Sequence, residues 1–172
     1  VTGGNSAFDR VVGRLAIGFA LAGGAVLAGM VLMSTLSIGG RWLLARPIPG
    51  DYELAQLGTA VAVAAFLPYC TGRGGHVLVD FLTASAPARV RALLDALGSL
   101  SIAAIGLLVA WRLGIGMADL RESGETTMVL AIPTWLAYAP MVPSFALLGL
   151  VALRRAAALL QEARGGAPGG RR

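Results

Sequence analysis

The stretch LAIGFALAGGAVLAGMVLMSTLSI, residues 15–38, runs for 24 residues without a charge, and its reading decides the fold. A helix rises 1.5 Å per residue, so about 20 apolar residues cross the roughly 30 Å hydrocarbon core of a bilayer. Three more uncharged runs follow, at 54–72, at 96–110 with Leu93 and Leu94 just ahead, and at 126–153. Each is long enough for one crossing once its apolar flank is included. A barrel wall would instead alternate apolar and polar residues in segments of about 10 residues, whereas here sequence neighbours are apolar on both sides. The sequence therefore predicts an all-α, polytopic integral membrane protein with four transmembrane helices.

Composition points the same way. The chain is 56% hydrophobic and 13% charged, which leaves too little polar surface to coat a soluble globule of 172 residues. Its basic residues are all Arg. The net charge of +5 would raise the question of nucleic acid, but the placement of the arginines answers it. With a cytoplasmic amino terminus, the inside segments hold Arg10, Arg14, Arg73, Arg89, Arg91, Arg154, Arg155, Arg164, Arg171 and Arg172, and the outside loops hold Arg41, Arg46, Arg112 and Arg121. Positive charge collects on the cytoplasmic side of membrane proteins, so both termini are expected in the cytoplasm and nucleic acid is not an expected partner. A cleaved signal peptide with Ala20-Leu21-Ala22 at its processing site is the rival reading of the first run. Residues 15–38 extend well beyond an h-region of about 7–15 residues, which favours an uncut helix.

This organisation gives a cytoplasmic segment at 1–14, a four-helix membrane domain at 15–160 with helices at about 15–38, 52–71, 88–117 and 127–160, and a disordered cytoplasmic tail at 161–172 rich in Gly, Pro and Arg. The start of the fourth helix has two readings, Thr126 or Pro133, because Pro133 suits a first helical turn. Pro140 and Pro143 fall inside that helix and are expected to kink it. Asp51 and Glu53 sit where the second helix opens, facing the positive end of its dipole. Pro87 suits the opening of the third helix.

Between helices two and three, a helical winding places His76, Asp80 and Thr83 on one side and Val77, Leu78, Phe81 and Leu82 on the other. That pattern predicts an amphipathic helix lying along the membrane surface. His76 and Asp80, one turn apart, read as a surface pair that orients the segment, with a proton relay as the functional alternative. One His and one Cys, Cys70, are too few for a bis-His haem, a metal cluster, a disulfide or a redox CxxC pair. Residues 72–75 lack the spacing of a phosphate loop, and there is no nucleophile elbow. No span carries an acid near its middle, where an ion or proton carrier would need one. Glu53, at a helix end, is expected to pair with an arginine such as Arg41 or Arg112, and Arg112 is expected to snorkel near the outer end of helix three. Small residues form stripes on helix two (Ala55, Gly58, Ala62, Ala65) and on helix three (Ser99, Ala103, Gly106, Ala110). They suit close helix packing, within the chain or against another subunit.

A family resemblance rests on an ordered set of elements. These are Gly50-Asp51-Tyr52-Glu53-Leu54, Gly75-His76-Val77 with Val79-Asp80, Pro87-x-Arg89-x-Arg91 leading to Leu94-Asp95, Trp111-Arg112, Gly124-Glu125-x-Thr127, and Ile132-Pro133-x-Trp135-x-x-Tyr138. In this order, over about residues 15–160, the chain resembles the small membrane subunit of tripartite ATP-independent periplasmic (TRAP) transporters, the DctQ-like family. The resemblance implies a subunit of the bacterial inner membrane without enzyme activity or cofactor. It implies as partners a large DctM-like permease subunit, which holds the substrate and sodium sites, a periplasmic solute-binding protein, which delivers a carboxylate-containing solute, and membrane lipid. The small subunit would be a scaffold, with its outer loops contributing to docking of the binding protein. Glu53, Arg73, His76, Asp80, Arg112 and Trp135 would then be structural or subunit-interface residues. Two alternatives stay open: an independent homo-oligomeric proton-coupled transporter using Glu53, and the small subunit of a tripartite tricarboxylate transporter. A membrane enzyme would need a nucleophile and base that the sequence does not offer.

Overall fold

The computed structural model describes residues 7–44, 48–72 and 88–164. Four helices fill them: α1 (Ala7–Leu44), α2 (Asp51–Gly72), α3 (Ala88–Ser123) and α4 (Trp135–Arg164). Each is long and apolar enough to cross a membrane, over Arg10–Leu43, Asp51–Gly72, Leu93–Ser123 and Trp135–Gln161. The chain is a multi-pass membrane protein.

The helices overrun the apolar runs. α1 begins at Ala7 and ends at Leu44, whereas the uncharged run marks only 15–38, because Arg10, Arg14 and Arg41 bound the hydrocarbon-compatible stretch without breaking a helix. Its end precedes Pro47, which cannot continue a helix. α3 likewise continues to Ser123 rather than 117, and stops at Gly124, whose φ of 66° turns the chain out of the helix. The fourth helix starts at Trp135, later than the expected 127, and extends through Arg164 rather than 160. Pro140 and Pro143 lie within it, and the Ser144 hydroxyl donates to the Pro140 carbonyl at 2.9 Å. The expected surface helix around 76–83 and the tail from Gly165 lie outside the described residues.

The helices stand in an open row, α1 beside α2, α2 beside α4, α4 beside α3. α1 and α4 touch only slightly. The pairs meet through small residues, as is required where lipid gives no hydrophobic drive for helix association. At the α3–α4 crossing, a methyl group on Gly106 would stand 3.2 Å from the Gly149 nitrogen, and one on Gly149 would stand 2.7 Å from Leu107 Cγ. Ser99, Ala103, Gly106 and Ala110 are all buried on α3, and Gly149, Ala152 and Ala156 on α4. At the α1–α2 contact, Gly23 lies against the Ala62 carbonyl and the Ala65 methyl. The stripes foreseen on helices two and three thus have neighbours within the chain.

The long apolar side chains point the other way. Leu15, Leu21, Leu32 and Leu36 on α1 and Ile105, Leu108 and Trp111 on α3 are exposed, which suits a lipid or protein neighbour and not water. One buried cluster, Val12, Ala16 and Leu147 with Phe19, Tyr69 and Val151, joins the start of α1 to the end of α2 and the middle of α4. Arg10 and Arg14 therefore share an end of the molecule with Arg154 and Arg155. There the Arg155 guanidinium donates to the Thr71 carbonyl at 3.1 Å, satisfying an orphan acceptor in the last turn of α2.

Candidate functional site

The opposite end of the molecule holds two hydrogen-bonded carboxylates, Asp51 and Glu53. α2 opens there after Gly50, whose φ of 75° lies in the left-handed region. Glycine is needed twice over, for that backbone and because a β-carbon would run into Leu130. The Gly50 carbonyl accepts from the Leu54 N–H at 3.0 Å, starting the helix. Asp51 and Glu53 then leave the first turn toward different neighbours.

Asp51 turns to α1. Its Oδ2 accepts from the Ser37 hydroxyl at 2.5 Å and lies 3.7 Å from Arg41 Nη2. Its Oδ1 accepts from the Tyr52 N–H at 2.8 Å. Ser37 is itself buried and accepts from the Ile48 N–H at 3.4 Å. One carboxylate and one hydroxyl so fasten the end of α1 to the connection that follows it and to the head of α2.

Glu53 turns to the α3–α4 connection. Its Oε1 accepts from the Val129 N–H at 2.8 Å and its Oε2 from the Leu130 N–H at 3.1 Å. The connection is a tight loop with its own bonds. Thr127 N–H donates to the Ile132 carbonyl at 2.9 Å, and Thr134 N–H to the Glu125 carbonyl at 3.0 Å. The Ile132 N–H donates to the Thr127 hydroxyl at 3.2 Å. Thr126 bridges to Pro133, and Ala131 adopts a φ of 51°. This is why, of the two readings of the helix start, Thr126 fails and the later one holds, with the helix beginning at Trp135 just after Pro133. The apolar run 126–132 is a folded loop, and its tip presents Met128 fully exposed.

The expected ion pair of Glu53 with Arg41 or Arg112 is therefore corrected. Arg41 goes to Asp51, and Glu53 takes two main-chain donors that helix geometry cannot serve. Non-helical backbone at a membrane protein's end must be satisfied by such local partners. Arg112 stands exposed on α3 beside the exposed Trp111. Trp135 lies in the first turn of α4 beneath the Arg121 guanidinium, 5.5 Å from its ring centre, a cation–π contact that ties the end of α3 to the start of α4. Arg73, His76 and Asp80 lie outside the described residues.

Sequence reasoning singled out Glu53 and Trp135 but not their partners, nor the Ser37–Asp51 link, nor Arg155. Of these, Arg155 alone leaves a sequence signal, since it stands just past the end of an apolar run, where a long cationic side chain can turn back onto a helix end. Asp51 and Glu53 are taken up by hydroxyl and backbone donors. No group of three His, Cys, Asp or Glu placed to hold a metal occurs among the described residues.

Four helices long and apolar enough to span a membrane, with Asp51 and Glu53 fastening helix ends, define an all-α multi-pass membrane protein. Residues 30–162 match the family described as tripartite ATP-independent periplasmic transporters, DctQ component, and the chain belongs to that family. It is a small-subunit component of a TRAP transporter. No curated protein and no solved structure matches the chain.

Proposed function

We propose that this subunit is the fixed scaffold of a TRAP transporter of the bacterial inner membrane, importing a carboxylate-containing solute with sodium coupling. In this reading a large permease subunit carries the substrate and sodium sites, and a periplasmic solute-binding protein delivers the solute. The Arg-rich end, with both termini, faces the cytoplasm, in line with the arginine asymmetry. Glu53 carries the reading. A coupling carboxylate must bind and release its ion, whereas Glu53 spends both oxygens on the Val129 and Leu130 N–H groups.

Arg112 is the residue we assign to the contact with the large subunit, and Trp135 the one that holds the adjoining helix pair together. Arg112 lies nine residues before Arg121, about 14 Å along α3, on an outward face where a lone cation is costly in lipid. Arg73, His76 and Asp80 are likewise proposed as structural or subunit-interface residues.

The test is to tag the chain, solubilise native membranes gently and identify what co-purifies. A large multi-helix permease is expected near equal stoichiometry. Arg112→Ala is expected to lower its recovery while the subunit itself still accumulates. Glu53→Gln is expected to lower assembly and transport in proportion. A Glu53→Gln subunit that assembles fully yet transports without sodium dependence would defeat the scaffold reading and favour an independent carrier.

A further inference from the structure

α1 and α4 are joined at the Arg-rich end by Val12, Ala16 and Leu147 but are otherwise in slight contact. On the Asp51 side of that cluster they leave a hollow of about 400 Å³. Gly29 and Met33 of α1, Leu57 and Val61 of α2, and Leu136 and Ala137 of α4 are among its walls, and every lining residue is apolar or glycine. A β-carbon on Gly29 would meet nothing within 4 Å, so the space is open beside the helix itself.

The hollow is a groove open to the outside and apolar throughout its lining, so an alkyl chain can enter it from the bilayer without leaving a polar group unpaired. Charge points to a phospholipid as the source of that chain. Val26, Met30, Met33, Ser37 and Arg41 follow one another at steps of three and four on α1, so Arg41 stands on the same face, about 12 Å beyond Met33. Its side chain is 62% exposed and touches Asp51 through one nitrogen at 3.7 Å. The rest of its planar donor set is available to a phosphate oxygen.

We propose that one acyl chain of a membrane phospholipid occupies the hollow between α1, α2 and α4, with its phosphate held by Arg41. The lipid completes the packing that the open row leaves undone, through close dispersion contacts.

The test places the full chain in nanodiscs containing phosphatidylglycerol with a mid-chain diazirine, irradiates, and maps the labelled peptides. Label is expected to concentrate on the segments around Gly29–Met33 and Leu57–Val61, above that at the outward α3 residue Leu108. Gly29→Phe is expected to cut that label roughly ten-fold, the factor carried by a clash of about 1.4 kcal/mol, with label at Leu108 unchanged. Gly29→Leu serves if the larger ring prevents folding. Arg41→Gln is expected to reduce capture of the phosphatidylglycerol probe but not of a diazirine fatty alcohol. Label spread evenly over the apolar faces, or unchanged by either Gly29 variant, would overturn the proposal. So would loss of label on adding the large permease together with a cross-link from Gly29→Cys to that subunit, since the occupant would then be protein.

Discussion

At the residue scale, the geometry of Glu53 separates charge from shape. Both oxygens accept from backbone N–H groups, so glutamine, with the same outline, presents an NH₂ to one of two donors and leaves that donor unpaired. We therefore expect Glu53→Gln to speed hydrogen exchange at the Val129 and Leu130 amides, leaving α3 exchange near Gly106 unaltered. Equal protection in both proteins would show that the loop holds itself. The sequence marks Glu53 as an acid at a helix start but hides its partners. They are main-chain groups 76 and 77 residues away, and a main-chain N–H has no letter. Arg41 was the visible cation, and it belongs to the neighbouring acid, two residues earlier.

At the element scale, the four helices were legible because an uncharged run of span length has few other fates in lipid. Their ends were less so. Charges at Arg10, Arg14 and Arg41 bound the apolar run but are compatible with helix, so α1 runs past them. At residues 126–132 the opposite holds: apolar residues suggest helix, while the left-handed turns at Gly124 and Ala131 and the Thr126–Pro133 bridge fold a loop. The α3–α4 crossing yields a prediction at the same scale. Gly149→Leu forces the backbones apart at Gly106, and overpacking of this kind costs about 1–3 kcal/mol. Unfolding in a mixed-detergent titration should show this loss, while Gly13→Leu, at a site with nothing within 4 Å, should leave stability nearly unchanged. An equal loss at both sites would mean that the crossing does not set the cost, since leucine is the better helix former and propensity alone would favour both variants.

At the scale of the whole molecule, the small-residue stripes could be read in the sequence but their pairing could not. Alanine and glycine at steps of three and four announce close approach without naming the neighbour. The row order α1, α2, α4, α3 supplies that answer and leaves α1 peripheral, with fewer of its apolar residues buried than in any other helix. The same order bears on how the polypeptide is made. Its most extensive contacts are between successive helices, α1 with α2 and α3 with α4, and the link that joins the two pairs, α2 to α4, needs the final helix. Biogenesis would accordingly proceed as two self-contained hairpins released in turn from the translocation machinery, the first able to settle while the second is still being synthesised. A nascent chain arrested at Gly124 should hold α1 and α2 together, as read by cysteine cross-linking between Gly23 and Ala65 positions, and should leave α3 without its principal neighbour, a substrate for membrane quality control until α4 emerges beside it.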